Sequence, residues 1–433
     1  MIRQRNFDLH NMGFKFFRLC FSRPIFISIS IFIFITLNFL PPLKAQVIEV
    51  ELENIRTLSE QNSQQWQQFE NRLDYSVRGE QATTARINPS IAYDLEFLDD
   101  GSQSEYEQYL YLQKEFRLPG HYRNLRERRD SRITQLEYET ESSRAEWLAA
   151  TRMGFIRILL NQREIEKLWI LRDQIGQLSD ASIRRAEAGE TAVLENQLLQ
   201  MSRYHLEARI DEKQLETNRL ITLWKSRMGF DQNTEVRFTG HVDESMVNLP
   251  RAAELISILD DSPLARAERQ AIQSASLETA AAQSSRLPSF ELSAGYKQLN
   301  PNWHGFLVGI ALPLPLLSSN RDAISQARVF EQIEQTERNL AQMERNQITF
   351  QILNALDEYE AKLGHTPEHL SQPEQFLDRL LISYREGALS LNDFLNSLSL
   401  MADAYQTKFS RLSGYYSMVL ELEAMTGREF INP

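Results

Sequence analysis

Cysteine is almost absent from this chain. Its single copy, Cys20, lies in an N-terminal segment that reads as an export signal, so neither a disulfide nor thiol chemistry is expected in the remainder. Turn residues are scarce as well, with 16 glycines and 14 prolines in 433 residues, and that scarcity favours long helices. Enzyme signatures are missing: there is no phosphate-binding glycine loop, no Gly-x-Ser-x-Gly and no His-Glu-x-x-His. The one ligand-like spacing, His365 and His369, encloses Pro367, which breaks the helix needed to align the pair, and no third ligand is evident. Catalytic, cofactor-binding and metal-binding residues are therefore all expected to be none.

Only one long apolar run occurs, at residues 25–40. Arg3, Arg5, Lys15, Arg18 and Arg23 precede it, Pro41 and Pro42 end it, and Ala45 offers a cleavage site before Gln46, the pattern of a signal peptide over 1–45. An uncleaved anchor is the alternative, since the run is near the lower limit for a spanning helix. Cys20 precedes the run, which argues against lipid attachment. Removing the segment's six basic residues and one aspartate takes the net charge from −12 to −17. Such a surface repels nucleic acid; it fits an acidic passage for cations, or simply a soluble acidic surface.

The rest of the chain is one pattern written twice. "NPSIAYDLEF" from Asn88 matches "LPSFELSAGY" from Leu287, Ser63 matches Ser262, Gly189 matches Gly387, and Gly229 matches Gly427, at offsets of 199, 199, 198 and 198 residues. Nearly constant spacing of four landmarks indicates a tandem duplication within one fold. The expected units are a first repeat over 46–229, a linker over 230–250 and a second repeat over 251–433.

Each repeat carries two short alternating stretches, at about 90–98 and 105–117 and at about 289–298 and 304–313. In the first, Ile91, Tyr93, Leu95 and Phe97 alternate with Ala92, Asp94 and Glu96. In the second repeat, Phe306, Val308, Ile310 and Leu312 alternate with Leu307, Gly309 and Ala311. Runs of this length joined by Asp, Gly, Asn and Pro turns suit transmembrane β-barrel strands, and equally an edge hairpin of a soluble domain. Around them, residues 119–189 and 315–387 are polar and helix-forming, each long enough for a helical path on the order of 100 Å. Returning helices follow, with Leu194, Leu198 and Met201, then Leu391, Leu395, Leu398 and Met401, at three- and four-residue spacing, a thin coiled-coil-like seam. Two hairpins cannot close a barrel, and open strand edges cannot face lipid, so membrane strands would have to be pooled by several chains.

These features together resemble the TolC-type outer-membrane efflux proteins over essentially the whole chain after residue 45. The duplication, the Pro89 and Pro288 strand starts, "LPLPLLSSNRDAISQA" from Leu312, "AEAGE", "YREGALSLNDFL" and the Leu422 to Gly427 ending carry the resemblance. "LQKEFRLPGHYRNLRERRD", residues 112–130, is similar to a run in the CzcC-like branch, which serves heavy-metal pumps, with His121 and Tyr122 in place of Lys and Arg. The resemblance implies a mainly α fold with a small β part: a long α-helical periplasmic tunnel and a shared barrel with four strands per protomer, twelve in a homotrimer. It implies an exit duct in the outer membrane of a Gram-negative-type cell, extending into the periplasm. The implied partners are outer-membrane lipid, a periplasmic adaptor and an inner-membrane pump of the resistance-nodulation-division type. Gly189 and Gly387 match the adaptor-contacting tips. Asp393 matches an aspartate that rings the closed tunnel end; Asn396 stands where the family has a second aspartate, which weakens such a ring. Tyr384 and Glu195 match positions whose hydrogen bonds hold the tip shut. A periplasmic or membrane-anchored coiled-coil scaffold without a pore is the competing reading.

Overall fold

The longest helices form where helix-stopping residues are rarest, and their ends are fixed by a few side chains used twice. Residues 47–99, 104–117, 119–187, 193–242, 246–285, 289–299, 303–313, 320–364 and 373–431 are described by a computed structural model. In chain order the elements are β1 (Ile48–Val50), α1 (Ile55–Asn62), α2 (Gln64–Thr83), β2 (Ser90–Asp99), β3 (Ser104–Phe116), α3 (Pro119–Glu187), α4 (Val193–Met228), β4 (Val236–Phe238), α5 (Ala252–Asp260), α6 (Pro263–Ser284), β5 (Phe290–Leu299), β6 (Trp303–Ala311), α7 (Arg321–Gly364), α8 (Pro373–Arg385) and α9 (Leu391–Thr426). Residues 1–45, with the expected signal, lie outside the described set, as do Gly189, Pro288, His365 and His369.

Ser63 caps α2 by accepting the Trp66 N–H at 3.4 Å, and Ser262 caps α6 by accepting the Ala265 N–H at 3.3 Å. Each oxygen satisfies one of the four donors that a helix start leaves open. Gly229 (φ 78°) and Gly427 (φ 71°) stand just past α4 and α9 in the left-handed conformation that ends helices. A Cβ on Gly229 would collide with the Asn62 carbonyl, and one on Gly427 would lie 3.0 Å from Pro263 Cγ. The two repeats thus dock a helix end against the start of a capped helix in the same way.

α3, with 69 residues, extends about 100 Å. It packs along α6, α4 and α9, while α7 lies against α6 and α9. The densest core surrounds its middle, where Phe155, Ile156, Ile158, Leu160, Trp224, Tyr415 and Val419 are buried. The Trp224 indole N–H donates to the Thr151 carbonyl at 3.1 Å, and its ring meets Phe238 edge-on at 5.0 Å. Phe238 belongs to β4, which pairs with β1, so the segment read as a linker over 230–250 carries a strand that anchors the N-terminal stretch.

Buried charge is also present. Arg152 of α3 pairs with Glu423 of α9, and its second nitrogen donates to the Ile431 carbonyl at 2.8 Å. Glu423 accepts the N–H groups of Phe430 and Ile431 at 2.6 and 2.8 Å. Burial pushes the Glu423 carboxyl up from its ordinary value, against the downward pull of Arg152 and the two N–H groups.

The four long strands make one antiparallel sheet in the order β2-β3-β5-β6. Register puts Ile91, Leu112, Ala294 and Val308 in one row and Tyr93, Leu110, Tyr296 and Phe306 in the next, all on one face. Nothing among the described residues covers this face: Ile91 is 76%, Phe306 92% and Val308 82% exposed.

The helical seam differs between the repeats. In α9, Leu398 and Met401 are buried as expected, joined by Phe394. In α4, Leu194 and Met201 point outward, and Leu199, Leu206, Ile210 and Trp224 fill the interior instead. Spacing of three and four marks two neighbouring stripes on α4, and packing against α3 selects the other one.

Candidate functional site: the helical tip and the polar sheet face

At the end of the helices remote from the sheet, Gly387 (φ 75°) turns the chain between α8 and α9. Its N–H bonds the Tyr384 carbonyl at 3.1 Å, and the Ala388 N–H bonds that of Ser383 at 2.9 Å. Among the described residues, its two chain neighbours apart, none has an atom within 4 Å of where a Cβ would stand on Gly387. The turn needs glycine for its backbone conformation, and the space beside it is open.

The Tyr384 phenol donates a hydrogen bond to the Glu195 carboxylate, joining α8 to α4. Its ring stacks on Phe394, with centroids 5.1 Å apart at 27°. Phe394 is wholly buried, so Tyr384 is held on one side by a fixed aromatic surface and on its tip by a carboxylate. A cavity of about 710 Å³ beside this pair is lined by Asp180, Arg184, Glu195, Tyr384, Arg385 and Gly387 among others. The structure therefore brings Tyr384, Glu195 and Gly387 together.

Asp393 is exposed and works locally. Ser390 caps α9 by accepting the Asp393 N–H at 3.2 Å, and its hydroxyl donates to the Asp393 carboxylate at 2.6 Å. The carboxylate sits in the first turn, where the helix dipole favours it. Asn396 is also exposed, nearly one turn further along α9. Phe394 and Ser390 escaped the sequence reading; the Ser-x-x-Asp spacing was the available signal for Ser390.

The sheet face opposite the apolar one holds Asp94, Glu96, Glu105, Glu107, Glu115 and Glu291, against one base, Lys297. Lys297 reaches Glu107 at 2.8 Å and the Tyr109 hydroxyl at 3.0 Å, while the Tyr111 hydroxyl donates to Asp94 at 2.8 Å. These contacts neutralise one carboxylate and leave the face acidic. Among the described residues no helix is long and apolar enough to cross a membrane.

No known family model matches the sequence, and no curated protein matches it. Solved structures do match its fold. The chain is similar to CusC, described with transmembrane channel formation, at 13% identity over 88% of this chain and 92% of that one, with a TM-score of 0.72. The outer-membrane channel OprN matches at 13% identity over 88% and 90%, TM-score 0.73. The outer membrane protein VceC of Vibrio cholerae matches at 16% identity over 88% and 97%, TM-score 0.69. The chain has the fold of these channel and outer-membrane proteins, mainly helical with a small sheet part, as the resemblance to TolC-type proteins implies for a single protomer.

Proposed function

We propose that this protein is the outer-membrane exit duct of a tripartite efflux system, passive in itself and driven by an inner-membrane pump through a periplasmic adaptor. The sheet carries the argument. Among the described residues it has an apolar face that no element covers, an acidic face, and two unpaired edges, β2 and β6. In lipid such a sheet is stable only when its edges are closed by others like it. Three copies supply twelve strands, with the apolar face outward and the acidic face around water.

The helices ask for the same partners. Along α7, Val329, Ile333, Leu340, Met343 and Phe350 follow a heptad rhythm and are exposed, as are Leu194, Met201 and Leu215 on α4. A second copy of the chain covers such seams. The acidic sheet face favours cationic cargo, and with the similarity of residues 112–130 to the heavy-metal branch it points to metal cations as cargo. The tip around Gly387 and Gly189 is the adaptor's docking region, and Tyr384, Glu195, Asp393 and Asn396 form the periplasmic gate.

The test is to express the full chain, separate the membranes, extract with detergent and weigh the particle. A detergent-dependent trimer from the outer membrane that conducts ions in a planar bilayer supports the duct. A monomer that stays in water without detergent defeats it and leaves the coiled-coil scaffold.

A further inference from the structure

A basic zone lies where the sheet meets the helices. Residues 117–132 hold six arginines and two acids. Register aligns the start of β2, the end of β3, the start of β5 and the end of β6 at one edge of the sheet, through Ser90↔Gln113, Phe116↔Phe290 and Glu291↔Ala311. Arg86 precedes β2 by four residues, Arg117 follows β3 directly, and Arg321 opens α7 after β6. Arg123 and Arg126 lie one and two turns into α3. All five side chains are exposed.

These arginines are unequally committed. Arg128 is tied to Glu80 and Glu278, both at 3.1 Å, and Arg129 to Asp130 at 2.7 Å. Arg86 and Arg321 have no ion pair among the described residues, and Arg126 donates only to the Tyr122 carbonyl, at 3.2 Å. Arg123 reaches Glu127 at a loose 3.8 Å. Lys114 stands on the apolar face in register with Leu292, its ammonium 5.6 Å from the Phe116 ring, within a side-chain length of the same edge.

The segments beyond the opposite end of the strands carry no such arginines. Residues 98–106 contain Asp99, Asp100 and Glu105 and no lysine or arginine, and residues 298–304 contain none either. Glu115 and Glu291 also lie at the helix end, where Arg117 reaches Glu115 at 3.4 Å, and Lys297 lies near the turn end, so the cationic character of the helix end comes from the arginines that flank the strands.

We propose that Arg86, Arg117, Arg123, Arg126 and Arg321, with Lys114, form a belt that binds the phosphates of anionic phospholipids in the periplasmic leaflet. This rests on the sheet lying in a membrane. The headgroup layer on each side of a bilayer is roughly 5–8 Å deep. Arg126 is seven residues beyond Pro119, about 10 Å along the helix, and its side chain spans the difference. A guanidinium pairs with phosphate by two parallel hydrogen bonds, and cations at a bilayer surface recruit anionic lipid. The belt fixes the depth of the sheet and enriches such lipids around each copy.

The experiment uses the full chain in detergent, with bound lipid counted by native mass spectrometry after incubation with phosphatidylglycerol or phosphatidylcholine. The wild type is expected to retain phosphatidylglycerol preferentially, with the preference weakening as salt is raised. The variant R86Q/R123Q/R126Q/R321Q is expected to lose the preference, by roughly fivefold for each arginine removed. The matching lysine variant is expected to keep most of it, and R219Q, an exposed change on α4, all of it. Equal retention of the two lipids by the wild type, or an unchanged preference in the fourfold Gln variant at unaltered particle mass, overturns the belt while leaving the duct standing. A chain that stays in water without detergent overturns both.

Discussion

Arg152 and Glu423 face each other in the interior, each side chain 3% exposed, 271 residues apart in sequence. Their pairing holds α3 to α9, and through the Phe430 and Ile431 N–H groups it fastens the C-terminal strand of chain to both helices. Glu423→Ala leaves the buried Arg152 guanidinium with only the Ile431 carbonyl at 2.8 Å and the more exposed Glu429 at 3.3 Å, and is expected to cost about 3 kcal/mol. Replacing both partners, by Arg152→Met with Glu423→Leu, is expected to cost less than Glu423→Ala alone. Denaturant unfolding of the detergent-solubilised variants measures both values, and a double variant as unstable as the sum of the singles contradicts the expectation.

The tip contact between Tyr384 and Glu195 is half-buried, and a hydrogen bond to a charged group there is worth about 1–2 kcal/mol. Tyr384→Phe keeps the ring on Phe394 and removes the hydroxyl that makes that bond. Single-channel recording is expected to show open occupancy raised by roughly tenfold, the factor that 1.4 kcal/mol commands. Glu195→Gln, which can still accept the bond, is expected to fall between the two. Unchanged occupancy in Tyr384→Phe removes this pair from the gate.

The two kinds of positive-φ glycine predict different costs. Gly229→Ala meets both a left-handed backbone and the Asn62 carbonyl, so about 2 kcal/mol or more is expected. Gly387→Ala meets only the backbone penalty, about 1 kcal/mol. If Gly387→Ala nevertheless abolishes efflux in a reconstituted system while the particle stays folded, the open space at the tip is needed by a partner.

Acidity is expected to loosen the pairing of α3 with α4. Glu207 is held below the usual carboxylate range by its hydrogen bond from Arg203 at 3.0 Å and then by Arg172 at 2.9 Å. A depressed pKa contributes stability that is present above the unfolded value, about 4.3, and is lost as pH falls through the folded one. The gap in thermal stability between wild type and Glu207→Gln is expected to hold from neutral pH to about 5 and to close below 4. A gap that stays constant to pH 3 contradicts it.

What the sequence disclosed was what local chemistry determines. Alternation of Ile91, Tyr93, Leu95 and Phe97 located β2 because a two-residue period has one reading on a pleated strand. Ser63 and Ser262, and Gly229 and Gly427, were visible as repeats before their roles were, since caps and left-handed stops tolerate few residue types. Contacts made over long separations were hidden. Nothing near Arg152 announces Glu423, and nothing near Tyr384 announces that Phe394 lies beneath it. The covered face of α4 was hidden for another reason: Leu194, Leu198 and Met201 compete with Leu199, Leu206 and Ile210 at almost the same period, and only α3 decides between them. β4 is three residues long and gives no periodic signal.

The free edges of β2 and β6 also dictate an order of events in biogenesis. One chain can make the contacts among α3, α4, α6 and α9 alone, because these helices are intramolecular partners, while the exposed seams of α4 and α7 wait for another copy in the proposed assembly. In the proposed duct it cannot complete its sheet alone, since the edges of β2 and β6 are closed there by other copies. The helical part can therefore form in water while the strands wait as an adhesive, half-made surface, and closure follows a rate law in concentration. If the proposed assembly holds, dilution is expected to stall it at its most aggregation-prone stage, with the strands in need of shielding until enough copies meet.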